Sequence, residues 1–281
     1  VSRYEAVARF EVRRMHSRIS VNTLSLDHGS LAEHIDRVAR LGCAAISPTC
    51  EDVDGLGIEP AGRRLRDAGL QVATLTHRAF GFAMPALAGA ARARLARSIE
   101  IAGKIEASSV TLTTGGRGEL TWAQANDRFA EAIAPCVEQA ARAGVALTLE
   151  PTSHLYADAS FAHRLSDLVT VCERAGTAIC LDTFACWFDA DIDVAIKATA
   201  SRTRIVQLSD YMGGDRGLPC RAVPGDGIAG LHHLVWRIEE AGFRGFYDLE
   251  LIGPRIVAEG AQTALRRAAE WLAAVLESAG S

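Results

Sequence analysis

Apolar residues in this chain recur in two rhythms. Eight short runs are rich in β-branched and apolar residues: 18–26, 44–48, 71–77, 108–116, 145–151, 178–184, 204–210 and 246–253. Each has the length and make-up of a buried strand. Between them lie stretches rich in Ala, Leu, Arg and Glu with helical spacing. "SLAEHIDRVARLG" (30–42) opens on Ser30, has Glu33 three residues later and closes on Gly42, which are the start and stop signals of a capped helix. "TWAQANDRFAEAIAPCVEQAARAG" (121–144) is long and amphipathic, and "AGLHHLVWRIEEAG" (229–242) and "AQTALRRAAEWLAAVLESAG" (261–280) complete the set of helices. Eight strands each followed by a helix, about 35 residues per unit, predict an α/β fold, a single-domain (β/α)8 TIM barrel over 18–281. An open doubly wound sheet is the alternative. Against it, no strand leads into a GxGxxG turn.

Three of the apolar runs carry a carboxylate. "ALTLEP" holds Glu150, "ICLDTF" holds Asp182 and "YDLELI" holds Glu250. A buried carboxylate is costly unless paired, hydrogen-bonded or bound to a metal. All three fall at or near the ends of strands, and Gln207 ends the seventh strand at a similar height. A barrel of this type keeps its chemistry at the C-terminal ends of its strands. Four oxygen-bearing side chains are therefore expected to converge at the mouth. The plain alternative is four separate core contacts, each carboxylate paired with its own Arg or Lys.

Composition narrows the function. The 281 residues carry a formal net charge of -4, so there is no basic footprint for nucleic acid. No apolar stretch approaches the roughly 18 residues of a membrane span. Residues 1–17 read as a charged N-terminal extension without the apolar core of a secretory signal, and the protein reads as cytoplasmic. Seven cysteines form no CxxC pair; Cys43, Cys136, Cys172 and Cys180 sit in apolar contexts as reduced core residues.

With "LTLEP", "CLDTF", "VQLSD", "RAVPGDG" and "GFYDLEL" in place, the second half of the chain resembles the xylose-isomerase-like TIM-barrel superfamily of sugar isomerases and epimerases. The resemblance implies one divalent ion held by Glu150, Asp182, Gln207 and Glu250, with both glutamates also catalytic. A Gln in the set resembles the hydroxypyruvate-isomerase type of site. Hard oxygen ligands favour Mn²⁺ or Mg²⁺. Such an ion stabilises the enediolate that forms when a proton leaves the carbon beside a carbonyl. The implied activity is isomerisation or epimerisation of a sugar or small polyhydroxy ketone. A dehydratase or lyase acting on a keto-sugar or ketocyclitol shares the same first step. A DNA-repair endonuclease of the same superfamily would need a His-rich zinc site and a basic groove, and this chain offers mainly His77. A non-catalytic binding barrel is the remaining class. Homo-oligomerisation is compatible with the sequence but not specified by it.

Four further residues are candidate substrate contacts: Arg221 in the loop after strand seven, His77 at the end of strand three, Asn22 on strand one, and Trp187 just past Asp182. For Arg221 the alternative is bracing of its own loop, and for His77 a backbone-bonded structural role. His154 follows "LEPTS" as a second layer, whereas His232 and His233 fall on a helix. The Gly-rich "TTGGRG" (113–118) reads as a turn more readily than as a phosphate cradle. One departure from the family pattern stands out: relatives carry Asp-x-x-His on strand six, and here the fourth residue is Ala185. The expectation is a wider, less polar pocket there, walled by Phe80, Phe82, Phe184 and Trp187, and a correspondingly bulkier substrate.

Overall fold

A computed structural model describes residues 14–78 and 80–279. Residues 1–13 of the expected N-terminal extension lie outside the described residues; Met15 already donates its N–H to Gly42 O at 2.9 Å.

The strands form one parallel ring. The first (Ile19–Asn22), second (Ala45–Ser47), fourth (Ser109–Leu112), fifth (Ala146–Leu149), sixth (Ala178–Asp182), seventh (Thr203–Leu208) and eighth (Phe246–Leu249) are continuous. The third is split into Gln71–Val72 and Leu75–Thr76. Its first half pairs with the second strand (Ala45 with Gln71, Ile46 with Val72) and its second half with the fourth (Leu75 with Val110, Thr76 with Thr111). The first strand pairs with the eighth, so the circle closes as the (β/α)8 reading predicts.

Helices surround the ring, and their ends follow the capping residues. Ser30 and Glu33 form a reciprocal capping box at Leu31–Leu41, which Gly42 ends at φ 79°. Thr121 and Gln124 do the same at Trp122–Ala143, which Gly144 ends at φ 69°. These caps satisfy backbone groups that the first and last helical turns leave open. Leu31, Ile35, Val38 and Leu41 bury one stripe of their helix in the main core. Each such side chain contributes about 1.5–3 kcal/mol relative to exposure.

Inside the ring, alternation along the strands sorts residues into layers. Ala45, Ala73, Cys180 and Ile205 form a small apolar cluster with Phe246. Two residues further along several strands comes a belt of hydroxyls. Ser20 meets Ser47 at 3.1 Å, Thr74 meets Thr111 at 2.8 Å and Thr111 meets Thr148 at 2.9 Å. Asp248 belongs to this belt, accepting from Ser47 Oγ at 2.7 Å and Asn22 Nδ2 at 3.0 Å. The next layer along is the mouth.

Candidate metal and active site

Glu150 and Glu250 each follow the last ladder residue of their strands. The Glu150 N–H donates to Leu112 O at 3.1 Å, and the Glu250 N–H to Leu208 O at 3.3 Å. Asp182 ends the sixth strand and pairs in register with Gln207 on the seventh. The ladder thus delivers all four side chains to one place. One carboxylate oxygen each from Glu150, Asp182 and Glu250 lies within 4.8 Å of the others. Glu150 is half-buried; Asp182, Gln207 and Glu250 are buried. A cavity of about 330 Å³ opens above them, lined also by Thr76, His77, Arg78, Tyr156, Phe184 and Arg221.

Arg221 lies among the carboxylates. A two-residue antiparallel ribbon (Tyr211 with Arg221, Asp210 with Ala222) folds the loop back over the mouth. The guanidinium donates to both oxygens of Asp182, at 3.0 and 2.8 Å, and to Ser209 Oγ at 2.9 Å. It stands 3.2 Å from Glu250 Oε2 and lies over the Phe184 ring at 4.7 Å. Burial works against its charge, but Asp182, Glu250 and Glu150 outweigh this and raise its pKa above the ordinary arginine value. Arg221 therefore remains a fixed cation.

One cation does not balance three carboxylates. Burial, then Glu250 and Asp182, push Glu150 well above the usual carboxylate range, against Arg221 and a hydrogen bond from Gln207. Burial also raises Glu250, with Arg221 opposing and Asp182 adding to the rise. At the same spot the buried Gln207 Oε1 has no hydrogen-bond partner, and Glu250 Oε2 has only its ion pair with Arg221. Such orphans are rare in folded proteins. With all three carboxylates ionised, the one guanidinium in contact with them would leave an excess of negative charge. A divalent cation fits that excess and those open oxygens.

The other sequence candidates fall into three places. His77 lines the carboxylate cavity. Trp187 does not: it lines a neighbouring cavity with His154, Phe188 and Tyr211, stacked on Tyr211 at 5.6 Å, and that cavity shares Ser153, Phe184 and Leu218 with the first. Asn22 lines neither. It is fully buried, its Oδ1 accepts from the Leu24 N–H at 3.1 Å and its Nδ2 is given to Asp248. Its role here is structural, which corrects the substrate-contact expectation.

Ala185 also departs from expectation. It is 1% exposed and lines neither cavity, because Thr183–Cys186 forms a helical turn that buries it. Asp182 caps that turn through the Phe184 N–H at 3.0 Å. Phe80 and Phe184 do wall the carboxylate cavity, whereas Phe82 is a core residue packed edge-on against Phe129 at 5.7 Å. The Gly-rich loop is a turn. The N–H groups of Gly115 and Gly116 go to Ala159 O and Asp158 O, at 3.0 and 2.9 Å. A side chain at Gly116 would meet Ala157 O at 2.7 Å. His233 pairs with Asp193 at 2.8 Å and His232 packs on Trp271, so both lie apart from the mouth.

Sequence reading missed Tyr156, Arg78 and Ser209. Tyr156 enters the cavity wall from the single turn His154–Tyr156, in a loop without periodicity. Arg78 directly follows His77 and acts electrostatically on Glu250. Ser209 sits two residues beyond Gln207, so the alternation that exposed Gln207 applies to it too.

Comparison with known proteins agrees with this architecture. A family model described as xylose isomerase-like TIM barrel matches residues 35–275. Protein SMc04130 from Sinorhizobium meliloti 1021 is 26% identical, with a TM-score of 0.81, over 90% of this chain and 96% of that one. An L-ribulose 3-epimerase is 19% identical, with a TM-score of 0.78, over 94% and 96%. The IOLI protein, solved with a bound zinc atom, is 14% identical, with a TM-score of 0.79, over 93% and 98%. No curated protein sequence matches the chain. Among the described residues, no helix is long and apolar enough to cross a membrane.

Proposed function

The chain belongs to the xylose isomerase-like TIM barrel family, and from that premise we propose that it is a divalent-metal-dependent isomerase or epimerase of a sugar or small polyhydroxy ketone. The observation that carries this reading is the meeting of Glu150, Asp182 and Glu250 within 4.8 Å at the floor of a cavity, beside the unpartnered Gln207 oxygen. Glu150, Asp182, Gln207 and Glu250 would hold the ion. Their oxygen donors favour Mn²⁺ or Mg²⁺. The likeness to an epimerase and to a zinc-bearing relative supports the class without fixing the metal. A bound ion supplies Lewis-acid polarisation of a substrate carbonyl and its neighbouring hydroxyl.

The chain's own residues supply the proton chemistry. Glu150 is the less buried of the two glutamates, and a carboxylate beside the reacting carbon is a reasonable base. It removes the proton from the carbon beside the carbonyl, leaving an enediolate. Glu250, on a different strand of the mouth, returns a proton from its own side. Two carboxylates acting from different directions allow inversion at that carbon; one acting alone suffices for aldose–ketose exchange. Arg221 holds Asp182 and Glu250 in place and limits the repulsion among the three acids. Tyr156, Phe80 and Phe184 wall the cavity and reduce its access to water.

The test is hydrogen exchange into ketoses in deuterated water, with metal content measured on the same samples. Wild-type protein with Mn²⁺ or Mg²⁺ should label the carbon beside the carbonyl. Glu150→Gln and Glu250→Gln should each lower turnover by about 10²–10⁴ while the ion stays bound. Wild-type turnover in both variants would sink the assignment. Loss of a β-hydroxyl from the product would move the activity to the lyase reading, which uses the same first step.

A further inference from the structure

His77 carries a second polar feature of the cavity, distinct from the carboxylate cluster. It is 6% exposed and lines the cavity wall, yet its Nε2 has no hydrogen-bond partner. The other ring nitrogen is tightly held: Nδ1 lies 2.7 Å from Ser98 Oγ. Ser98 is itself buried, within the helix Pro85–Lys104 that follows the third strand.

The hydrogens around Ser98 fix the ring. A serine hydroxyl has one hydrogen to give and two lone pairs to receive. Ser98 Oγ stands 3.2 Å from the carbonyl of Arg94, a group that can only accept, so its hydrogen goes there. The Cys50 thiol donates to Ser98 Oγ at 2.9 Å, and burial raises that thiol to about 11, so it keeps its hydrogen. One lone pair remains, and it faces His77 Nδ1. In this arrangement that nitrogen carries the hydrogen. Burial lowers the imidazole to about 4, so at neutral pH the ring has only one hydrogen. Nε2 is left as a bare lone pair.

We propose that Ser98 is a positioning residue that locks His77 in the Nδ1–H form, so that Nε2 faces the cavity as an obligate acceptor and selects a substrate hydroxyl at the third-strand wall. This rests on the reading of the cavity as a carbohydrate site and adds to it. A neutral acceptor has no attraction for phosphate or carboxylate oxygens. The group that His77 Nε2 itself selects is therefore a hydroxyl, separate from whatever the neighbouring Arg78 attracts. An unmade hydrogen bond in a buried site weakens binding about 5- to 150-fold, enough for this one nitrogen to discriminate against a deoxy compound.

The test is nitrogen-15 NMR of the metal-free full chain, with His77 signals assigned by their loss in His77→Gln. In the wild type, Nδ1 should be protonated and Nε2 not. Xylitol should move the Nε2 resonance, and inorganic phosphate should leave it in place. Ser98→Ala should release the ring into a mixture of both tautomers and weaken xylitol about 3- to 10-fold in the same titration. Ser98→Thr keeps the hydroxyl and should behave as the wild type. A protonated Nε2 in the wild-type protein, or an Nε2 resonance unmoved by xylitol, would overturn the proposal. Neither readout uses metal or turnover, so failure of the isomerase reading registers separately, in the exchange assay.

Discussion

Arg221 was expected from its loop to touch substrate, and its guanidinium, in the cavity wall, also spans Asp182, Ser209 and Glu250. Removing one partner of a buried ion pair costs about 3–5 kcal/mol, because the other is left charged and unpaired. Arg221→Met should therefore lower the melting temperature markedly in EDTA. Mn²⁺ should restore most of that loss, since a second cation then faces the same carboxylates; thermal denaturation with and without the ion measures it. If Mn²⁺ gives no recovery, these side chains do not bind it. Glu150, Asp182 and Glu250 stood out in the sequence because an ionisable group in an apolar run is anomalous. Arg221's contact did not, because Asp182 lies 39 positions away. Asn22 shows the limit of alternation: it tells which side chains face inward, not whether they reach the cavity or end on a neighbour such as Asp248. Ser98 gave no signal, being one small residue in an Ala- and Arg-rich helix.

The loop that carries Arg221 is organised by one carboxylate. Asp210 accepts from the backbone N–H groups of Tyr211, Gly225, Gly227 and Ala229, at 2.8, 3.0, 3.1 and 3.0 Å. It needs glycine at 227, where a Cβ would lie 2.3 Å from Tyr211 O. Asp210→Ala should leave these donors unpaired and the loop free to drift. A displacement of about 1 Å at a catalytic group costs on the order of 10²-fold in rate. Turnover should fall by about that factor, and limited proteolysis should cut between residues 212 and 230. The far-ultraviolet circular dichroism should stay that of the wild type, because the ring itself is untouched; a collapsed spectrum would assign Asp210 to global folding instead. The tight "PGDG" turn was legible from its Pro and Gly residues, and helix ends from Ser30, Gly42, Thr121 and Gly144. Asp210 was not, since an acid at a strand end has no visible partner until the loop folds back. The split in the third strand was also hidden, because "QVATLTH" reads as one continuous run.

At the scale of the molecule, the barrel interior is charged as well as packed. Burial raises Asp248 from 3.8 to about 7, with the hydroxyls of Ser47 and Ser20 opposing. Glu150 and Glu250 are raised as well. An acid whose pKa is higher folded than unfolded contributes stability that is full below its unfolded value and lost as pH rises through its folded value. For Asp248 that window runs from 3.8 to about 7. Metal-stripped protein should therefore lose melting temperature between about pH 4 and 7, and Mn²⁺ should flatten the curve by meeting the charge that ionisation creates. Differential scanning fluorimetry across that range checks it; a flat EDTA curve would mean the acids are compensated within the chain. The two-part third strand acts on the same interior from the other wall. The ladder is thin at this wall, where a clasp of two residues joins the third strand to each neighbour. Segments with the fewest such bonds open first in native-state fluctuations. An opening of this clasp would carry His77, one residue beyond it. The carboxylate floor would then be the anvil and the third-strand wall the jaw, and a ligand of unfamiliar width would press on the jaw first.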